Sequence, residues 1–556
     1  MPETRIEKDT MGEMPVPADV LYGASTQRAV LNFPVSGRPV PFEIVAAYAA
    51  IKSAAAAVNA SLHSLDRPRA EAIIAACRII AAGLPDHGGW PRHFPVDVFQ
   101  TGSGTSTNMN INEVIANLVC LARGKPIGSS KDPAYLAAGG VHPNDHVNMG
   151  QSSNDTFPTA MHLAAAVKIH RELLPAVRTL GEALEQKATA WDRIVKIGRT
   201  HLQDATPIRL GQEFSGYASQ MRHAEARLTR ALDALADLSI GGTAVGTGIN
   251  THEDFGRLVA KHLTQHIDSL IPPHSAPSTQ PGAMATALSG HAEHTSASGL
   301  PHSHPERWPC HPPLVFREAT NHFESQHAKD AIVEASGHLK TIAVSLTKIA
   351  NDIRLMGSGP RCGIGELVLP AVQPGSSIMP GKVNPVICEA VVMACCQVIG
   401  NDTAIGLGGL GGVGSLLDLN VAMPMMADNL IESIHLLARA CAILDGQCLR
   451  GPVPANQTYE PTTHGLQPDT ARCASLIEGS LAMCTSLVPI IGYDTSAALA
   501  KQAYKEGKTV RQLAHELVAK GQTKDTNGRI ITKEDIDRYL DPWSMTLPGG
   551  EGSAGG

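Results

Sequence analysis

The stretch IVEASGHLKTIAVSLTKIANDI, residues 332–353, sets Ile332, Ala335, Leu339, Ile342, Leu346, Ile349 and Ile353 at alternating spacings of three and four. Apolar residues spaced this way fall on one face of a helix, and a repeat kept up for about three heptads marks a seam packed lengthwise on other helices. Phe214, Tyr217, Met221, Ala224, Leu228, Ala231, Leu235 and Leu238 repeat the pattern. Each run predicts a helix of over 20 residues, about 30 Å long. Helices of that length with one apolar stripe pack into near-parallel bundles. Further helical stretches are expected over 159–190, 386–403 and 422–446. The fold class is therefore all-α, with a central long-helix bundle over 150–453. Residues 1–149 read as short helices among Gly/Pro-rich loops, 454–548 as a small helical domain, and 549–556 as a disordered Gly-rich tail.

At 556 residues the chain exceeds what one hydrophobic core supports. Apolar residues make up 43% and aromatics only 4%, which suits Ala- and Leu-rich helices. The net charge is −7 and no Lys/Arg run occurs, so nucleic acid is not an expected partner. No stretch approaches the ~18 uncharged apolar residues of a membrane span. The opening MPETRIEKDTMGE has no apolar core and resembles neither a secretory signal nor a transit peptide, so the expected compartment is the cytoplasm. The eleven cysteines are scattered without a CxxC, matching neither a disulfide framework nor iron–sulfur ligand spacing. Residues 272–313, within an insertion spanning about 268–313, hold nine Pro and six His. This segment reads as a flexible loop. Within it, no HxxxH or HExxH spacing argues for a metal site.

Four polar, Gly-rich clusters interrupt the helical pattern: TGSGTSTNMNINE (101–113), HPNDHVNMGQSSND (142–155), GRTHLQDATP (198–207) and GSSIMPGKVNP (375–385). Their hydroxyls and amides suit a carboxylate, which when ionised only accepts hydrogen bonds. Taken singly, TGSGT and SSND also read as turns with helix N-caps, and His201 as a core histidine. Neither GSS before Lys382 nor EGKT at 506–509 completes a phosphate-binding loop. The residues alone point to a helical protein with a dicarboxylate-binding constellation and select no reaction.

Together the clusters resemble the class II fumarases of the fumarase/aspartase superfamily. GSSIMPGKVNP matches the superfamily signature without a break, and EKDTMGEMPVPADVLYGASTQRA resembles the family's opening. His201 stands where aspartases have Gln, and Gly381 where they commonly have Ala. The resemblance implies a three-domain fold whose central helices form a twenty-helix core in a homotetramer. It also implies reversible, stereospecific hydration of fumarate to (S)-malate, a step of the citric acid cycle, with no cofactor and no metal. Aspartate ammonia-lyase, another superfamily lyase and a catalytically silent relative are the alternatives.

By the same resemblance Ser376 is the base that takes the C3 proton, and His201, paired with Glu389, handles the departing water. Lys382 and Asn384 stabilise the charge that develops on the carboxylate. Ser103, Thr105, Ser152, Ser153, Asn154 and Thr200 orient the substrate. His142, Pro143, Asn144 and Asp145 resemble a second dicarboxylate site, with a helix-start loop as the equal alternative. Glu389 also reads as an acid favoured by a helix N-terminus.

Overall fold

The computed structural model describes residues 3–272, 313–452 and 464–548. The Pro/His-rich segment lies almost entirely outside the described residues, as does the Gly-rich tail.

The two periodic runs become the helices Leu210–Ala234 and Asp330–Met356. All seven stripe residues from Ile332 to Ile353 are fully buried, and none of the eight from Phe214 to Leu238 exceeds 2% exposure. The first helix stops at Ala234, so Leu238 reaches the core from a two-residue strand, Asp237–Leu238, parallel to Arg317–Glu318. The helices Ser153–Lys168, Leu174–Ala190, Val386–Gly409 and Met423–Ile443 also run through the central region. Among the described residues strands occur only as two-stranded pairs, so the architecture is helical.

The described residues form two compact units. One comprises 1–172, 227–339 and 399–435, the other 173–226, 340–398 and 436–556. This grouping cuts across chain order because each long bundle helix from Leu210 onward divides its residues between both units.

In the first unit the helix Phe42–Ser61 is buried almost all round. Its run AAYAAIKSAAAAV has no polar face, so it offers no periodic stripe to a sequence reading. The expectation of only short helices before residue 149 is corrected by this 20-residue helix and by the 18-residue Thr105–Ala122. Phe42–Ser61 and Val386–Gly409 are long and apolar enough, by length and composition, to cross a membrane, although each carries two charged residues, Glu43 and Lys52 in the first and Glu389 and Asp402 in the second. They differ in burial: 83% of the apolar window is buried in the first and 28% in the second. On Val386–Gly409, Cys388, Val391, Cys395, Val398 and Ile405 are buried, while Met393 and Leu407 stand exposed on its other side.

Helix starts follow local chemistry. Asp66 caps Arg67–Ala81 and accepts from the Arg69 N–H. Capping boxes begin Ser153–Lys168, Val510–Ala519 and Lys533–Tyr539. In the second unit the C-terminal helices close over a core that includes Ile477, Leu487, Leu499, Val510, Leu513 and Ile536.

His162, on Ser153–Lys168, is a buried imidazole whose Nδ1–H donates to the Asp237 carbonyl at 2.8 Å. Burial, reinforced by the nearby Lys329 ammonium, pushes its pKa down to about 4. A depressed folded pKa gives stability that is present above the unfolded value near 6.5 and lost as pH falls toward 4. Acidification across that window should remove roughly 3 kcal/mol. In denaturant titrations at pH 7 and pH 4.5, His162→Gln should lose less stability between the two than the native chain. An equal loss in both would reject this residue as the source.

Candidate active site

Five of the residues singled out, Ser103, Thr105, Ser152, Ser153 and Asn154, lie in the first unit. There the 101–104 turn and the start of Ser153–Lys168 bring hydroxyls together. The Ser103 and Thr105 hydroxyls are 2.9 Å apart, and Thr105 Oγ1 lies 2.8 Å from Ser153 Oγ. Ser152 accepts the Asn154 N–H as an N-cap at 3.2 Å, and the Asn154 amide donates to the Ala244 carbonyl at 2.8 Å. Asp155 is wholly buried and accepts N–H bonds from Ser152, Gly241 and Thr243, so it ties the SSND turn to the 241–243 loop. Burial raises its pKa to about 6 against those three donors.

The turn tolerates no extra atoms. Gly104 has φ +74°, and a Cβ there would stand 1.8 Å from the Phe157 ring. A Cβ on Gly102 would stand 1.8 Å from the Val421 carbonyl oxygen. Gly104→Ala should therefore cost about 2 kcal/mol through strain and overpacking. It should also raise KM, since Ser103 and Thr105 flank the displaced residue. Thermal unfolding and steady-state kinetics check this, and a variant as stable as the native chain would refute it.

The 101–113 cluster is not all loop. From Thr105 it is helix, and Asn108, Asn110, Asn112 and Glu113 are buried structural groups. The Glu113 carboxylate accepts from the backbone of Gly23, Ser25 and Thr26 and from the Thr26 hydroxyl at 2.6 Å. It thereby holds the N-terminus of Ala24–Asn32, the end of a helix that favours negative charge.

His142 serves as an N-cap. Its Nδ1 accepts from the backbone of Asn144 at 3.3 Å and Asp145 at 3.1 Å, and the chain then turns through Pro143–Val147. Burial lowers the pKa of this imidazole, which suits an accepting Nδ1.

Thr200, His201, Ser376, Lys382, Asn384 and Glu389 lie in the second unit. Thr200 and His201 sit at the tip of an antiparallel hairpin, Val195–Thr200 with Gln203–Arg209. His201 and Leu202 form its two-residue turn with φ +57° and +61°. Two successive positive φ values match the twist of hairpin strands, but this conformation normally calls for Asn-Gly, so two larger side chains here store strain. The hairpin is anchored along its first strand. Glu366, fully buried, accepts two bonds from Arg199 Nη1 at 2.9 and 3.0 Å, and Lys196 bridges to Glu213 at 2.9 Å and to Glu366 at 3.5 Å.

The 375–385 loop closes on itself. The Gly375 N–H donates to the Lys382 carbonyl at 2.9 Å, and the Asn384 amide donates to the Gly375 carbonyl at 2.7 Å. A Cβ on Gly375 would lie 2.5 Å from the Lys382 oxygen, so only glycine fits this closure. Inside the loop, Ser376 Oγ accepts the N–H groups of Ile378 at 3.2 Å and Met379 at 3.0 Å. Lys382 and Glu389 are exposed, Glu389 in the first turn of Val386–Gly409. Among the described residues no hydrogen bond or ion pair joins His201 to Glu389 or to this loop. An open groove of about 440 Å³ along Ile208, Gln212, Tyr217 and Lys348 is lined by none of the candidate residues.

Among the described residues no group of three or more His, Cys, Asp or Glu side chains is placed to hold a metal ion. The first unit offers a set of linked hydroxyls suited to a carboxylate; the second offers groups for acid–base and electrostatic chemistry, namely a serine under two backbone donors, a neighbouring lysine and amide, and an exposed imidazole.

Comparison with known proteins agrees with the sequence motifs. A lyase family model matches residues 12–297 and 314–400, and a model of the fumarase C C-terminus matches 483–547. The class II fumarate hydratase of Corynebacterium glutamicum is 44% identical over 98% of this chain and 96% of its own length. That of Mycobacterium tuberculosis is 46% identical over 97% and 96%. The crystal structure of a class II fumarase from Schistosoma mansoni superposes with a TM-score of 0.81 at 35% identity, covering 98% of this chain and all of that one. A fumarate lyase:delta crystallin structure from Brucella melitensis, bound to cobalt, gives 0.78 at 37% identity with the same coverage. Full-length similarity at this level, together with the intact loop and hairpin, makes the chain a member of the class II fumarate hydratase family.

Proposed function

We infer that the chain is a metal-independent hydro-lyase that reversibly adds water across fumarate to give (S)-malate by trans addition and elimination. The observation that carries this reading is the 375–385 loop, which holds Ser376 under two backbone N–H groups beside Lys382 and Asn384. The malate C3–H is a very weak acid, and its proton can leave only as the adjacent carboxylate takes up charge. Preorganised donors aimed at that charge are the largest catalytic contribution. Lys382 supplies a full positive charge, and Asn384 retains one amide hydrogen beyond the one given to Gly375. Donors to Ser376 Oγ favour its ionised form, which makes the hydroxyl a competent base. His201 holds or protonates the departing water, with Glu389 as its partner. Thr200 and the Ser103, Thr105, Ser152, Ser153 and Asn154 group bind the carboxylates and hydroxyl.

The functional assembly in this reading is a homotetramer with a shared twenty-helix core, each active site drawing its clusters from three copies. The exposed apolar side of Val386–Gly409 supports that assembly, because a monomer would leave it in water. Division into three copies also accounts for His201 and Glu389 being unpaired within one chain. The three consecutive segments, 1–149, 150–453 and 454–548, are the domains of this reading. The cytoplasm is its compartment, supported by the ten described cysteines being free thiols.

Ultraviolet absorbance of fumarate tests the function directly. Purified protein with malate and a chelator should produce fumarate, and aspartate should not. A response to aspartate alone would assign an ammonia-lyase and show that His201 and Gly381 do not select water. No response to either would favour a silent relative.

A further inference from the structure

Lys52 lies in the middle of the most apolar buried helix, Phe42–Ser61, and is fully buried. Burying an ammonium costs several kcal/mol unless strong partners replace its water. Its partners are two neutral amide oxygens, Asn108 Oδ1 at 2.8 Å and Asn148 Oδ1 at 2.9 Å. Burial pushes its pKa down to about 7, with only the longer-range charge of Asp155 and the Cys77 thiol opposing the shift.

The two amides belong to different polar clusters. Asn108 lies in the first turn of Thr105–Ala122, the helix that begins with Thr105. Asn148 precedes the SSND turn, and its Nδ2 donates to the Gln151 carbonyl at 3.0 Å, one residue before the Ser152 cap. Asn148 Oδ1 also accepts from Asn108 Nδ2 at 3.1 Å and Asn112 Nδ2 at 3.2 Å. One buried cation thus grips, through two amides, the two segments that present Thr105 and Ser153, whose hydroxyls meet at 2.8 Å.

We propose that Lys52 is a positioning residue for dicarboxylate binding, setting the spacing of Thr105 and Ser153 by holding Asn108 and Asn148. The inference rests on the reading of those hydroxyls as carboxylate ligands. Two hydrogen bonds from one fully buried amine, shielded from competing water, suit a strut whose length matters. Misplacement of binding groups by about 1 Å costs about 100-fold in activity.

The test uses the full-length protein and two readouts: kcat and KM for malate, and the Kd of succinate, a dicarboxylate that cannot eliminate water. Lys52→Met should raise KM and the succinate Kd by about tenfold or more, with a smaller change in kcat. In a Ser153→Ala background the same substitution should cost under about threefold, because the hydroxyl it positions is gone. Asn148→Leu removes the oxygen that Lys52 grips, and should reproduce the rise even if Lys52→Met fails to fold. Losses that multiply fully across the two sites, or variants that unfold earlier while binding succinate normally, would overturn the proposal. A native protein that binds succinate without turning over malate would refute the hydratase reading and leave the Lys52 comparison to be read from Kd.

Discussion

Replacing Ser376 by alanine is expected to lower kcat for malate dehydration by about 1,000-fold, with KM changed by less than about threefold. The magnitude follows from the role: a positioned group that takes a proton in the transition state contributes about 100- to 10,000-fold. The split follows from geometry. Ser376 Oγ already accepts two N–H bonds within its own loop, so its loss removes the proposed base without opening the closure between Gly375, Lys382 and Asn384. An interaction made only in the transition state lowers kcat and kcat/KM alike. Ser377→Ala serves as the comparison, since its hydroxyl is one residue away on the same loop. A large loss in Ser377→Ala and a small one in Ser376→Ala would exchange the two assignments. Normal activity in both would place the base outside the loop.

Replacing Glu366 by glutamine is expected to destabilise the protein by about 3–5 kcal/mol, the cost of removing one partner of a buried ion pair. Glu366 is wholly enclosed and faces both Arg199 and Lys196. Its loss strands the Arg199 guanidinium, one residue before Thr200, and leaves Lys196 with Glu213 as its carboxylate partner. The strained turn at His201 and Leu202 depends on that anchored strand to hold it, since nothing in either side chain favours a positive φ. Denaturant midpoints measure the stability loss. Activity below the transition should fall as well, through the position of His201. A variant within 1 kcal/mol of the native chain would show that Lys196 and Arg199 find other partners or water.

The fold was legible wherever one face of a helix meets the core and the other meets water. The stripes from Phe214 to Leu238 and from Ile332 to Ile353 are buried without exception. It was illegible where burial is complete, because the Phe42–Ser61 helix has no contrast between faces. The hairpin at 195–209 was missed for a different reason. VKIGRTHLQDATPIR does not alternate cleanly, Gly198 sits at an irregularity in the register, and the turn uses His-Leu where a turn signal calls for Asn-Gly.

The candidate site divides in the same way. Cluster positions were visible as polar interruptions, but which polar residues are structural was not. Asn108, Asn112 and Glu113 look like binding groups in the sequence and are framework in the structure. Lys52, inside an Ala-rich run, gave no signal at all. Its meaning depends on Asn108 and Asn148, 56 and 96 residues away.

The division into two units, each stitched from three separate stretches, bears on how the chain is made. The first unit lacks its last stretch until residue 435 has been synthesised, 263 residues after its first stretch ends at 172. At ~5–20 residues per second on the ribosome, that delay is roughly ten to fifty seconds. The apolar Phe42–Ser61 helix also waits, for Phe255–Leu270, which packs on it from some two hundred residues further along the chain. Shortening the gene from its 3′ end should therefore yield insoluble fragments rather than a smaller folded protein, and slow translation should make the nascent chain more dependent on chaperones.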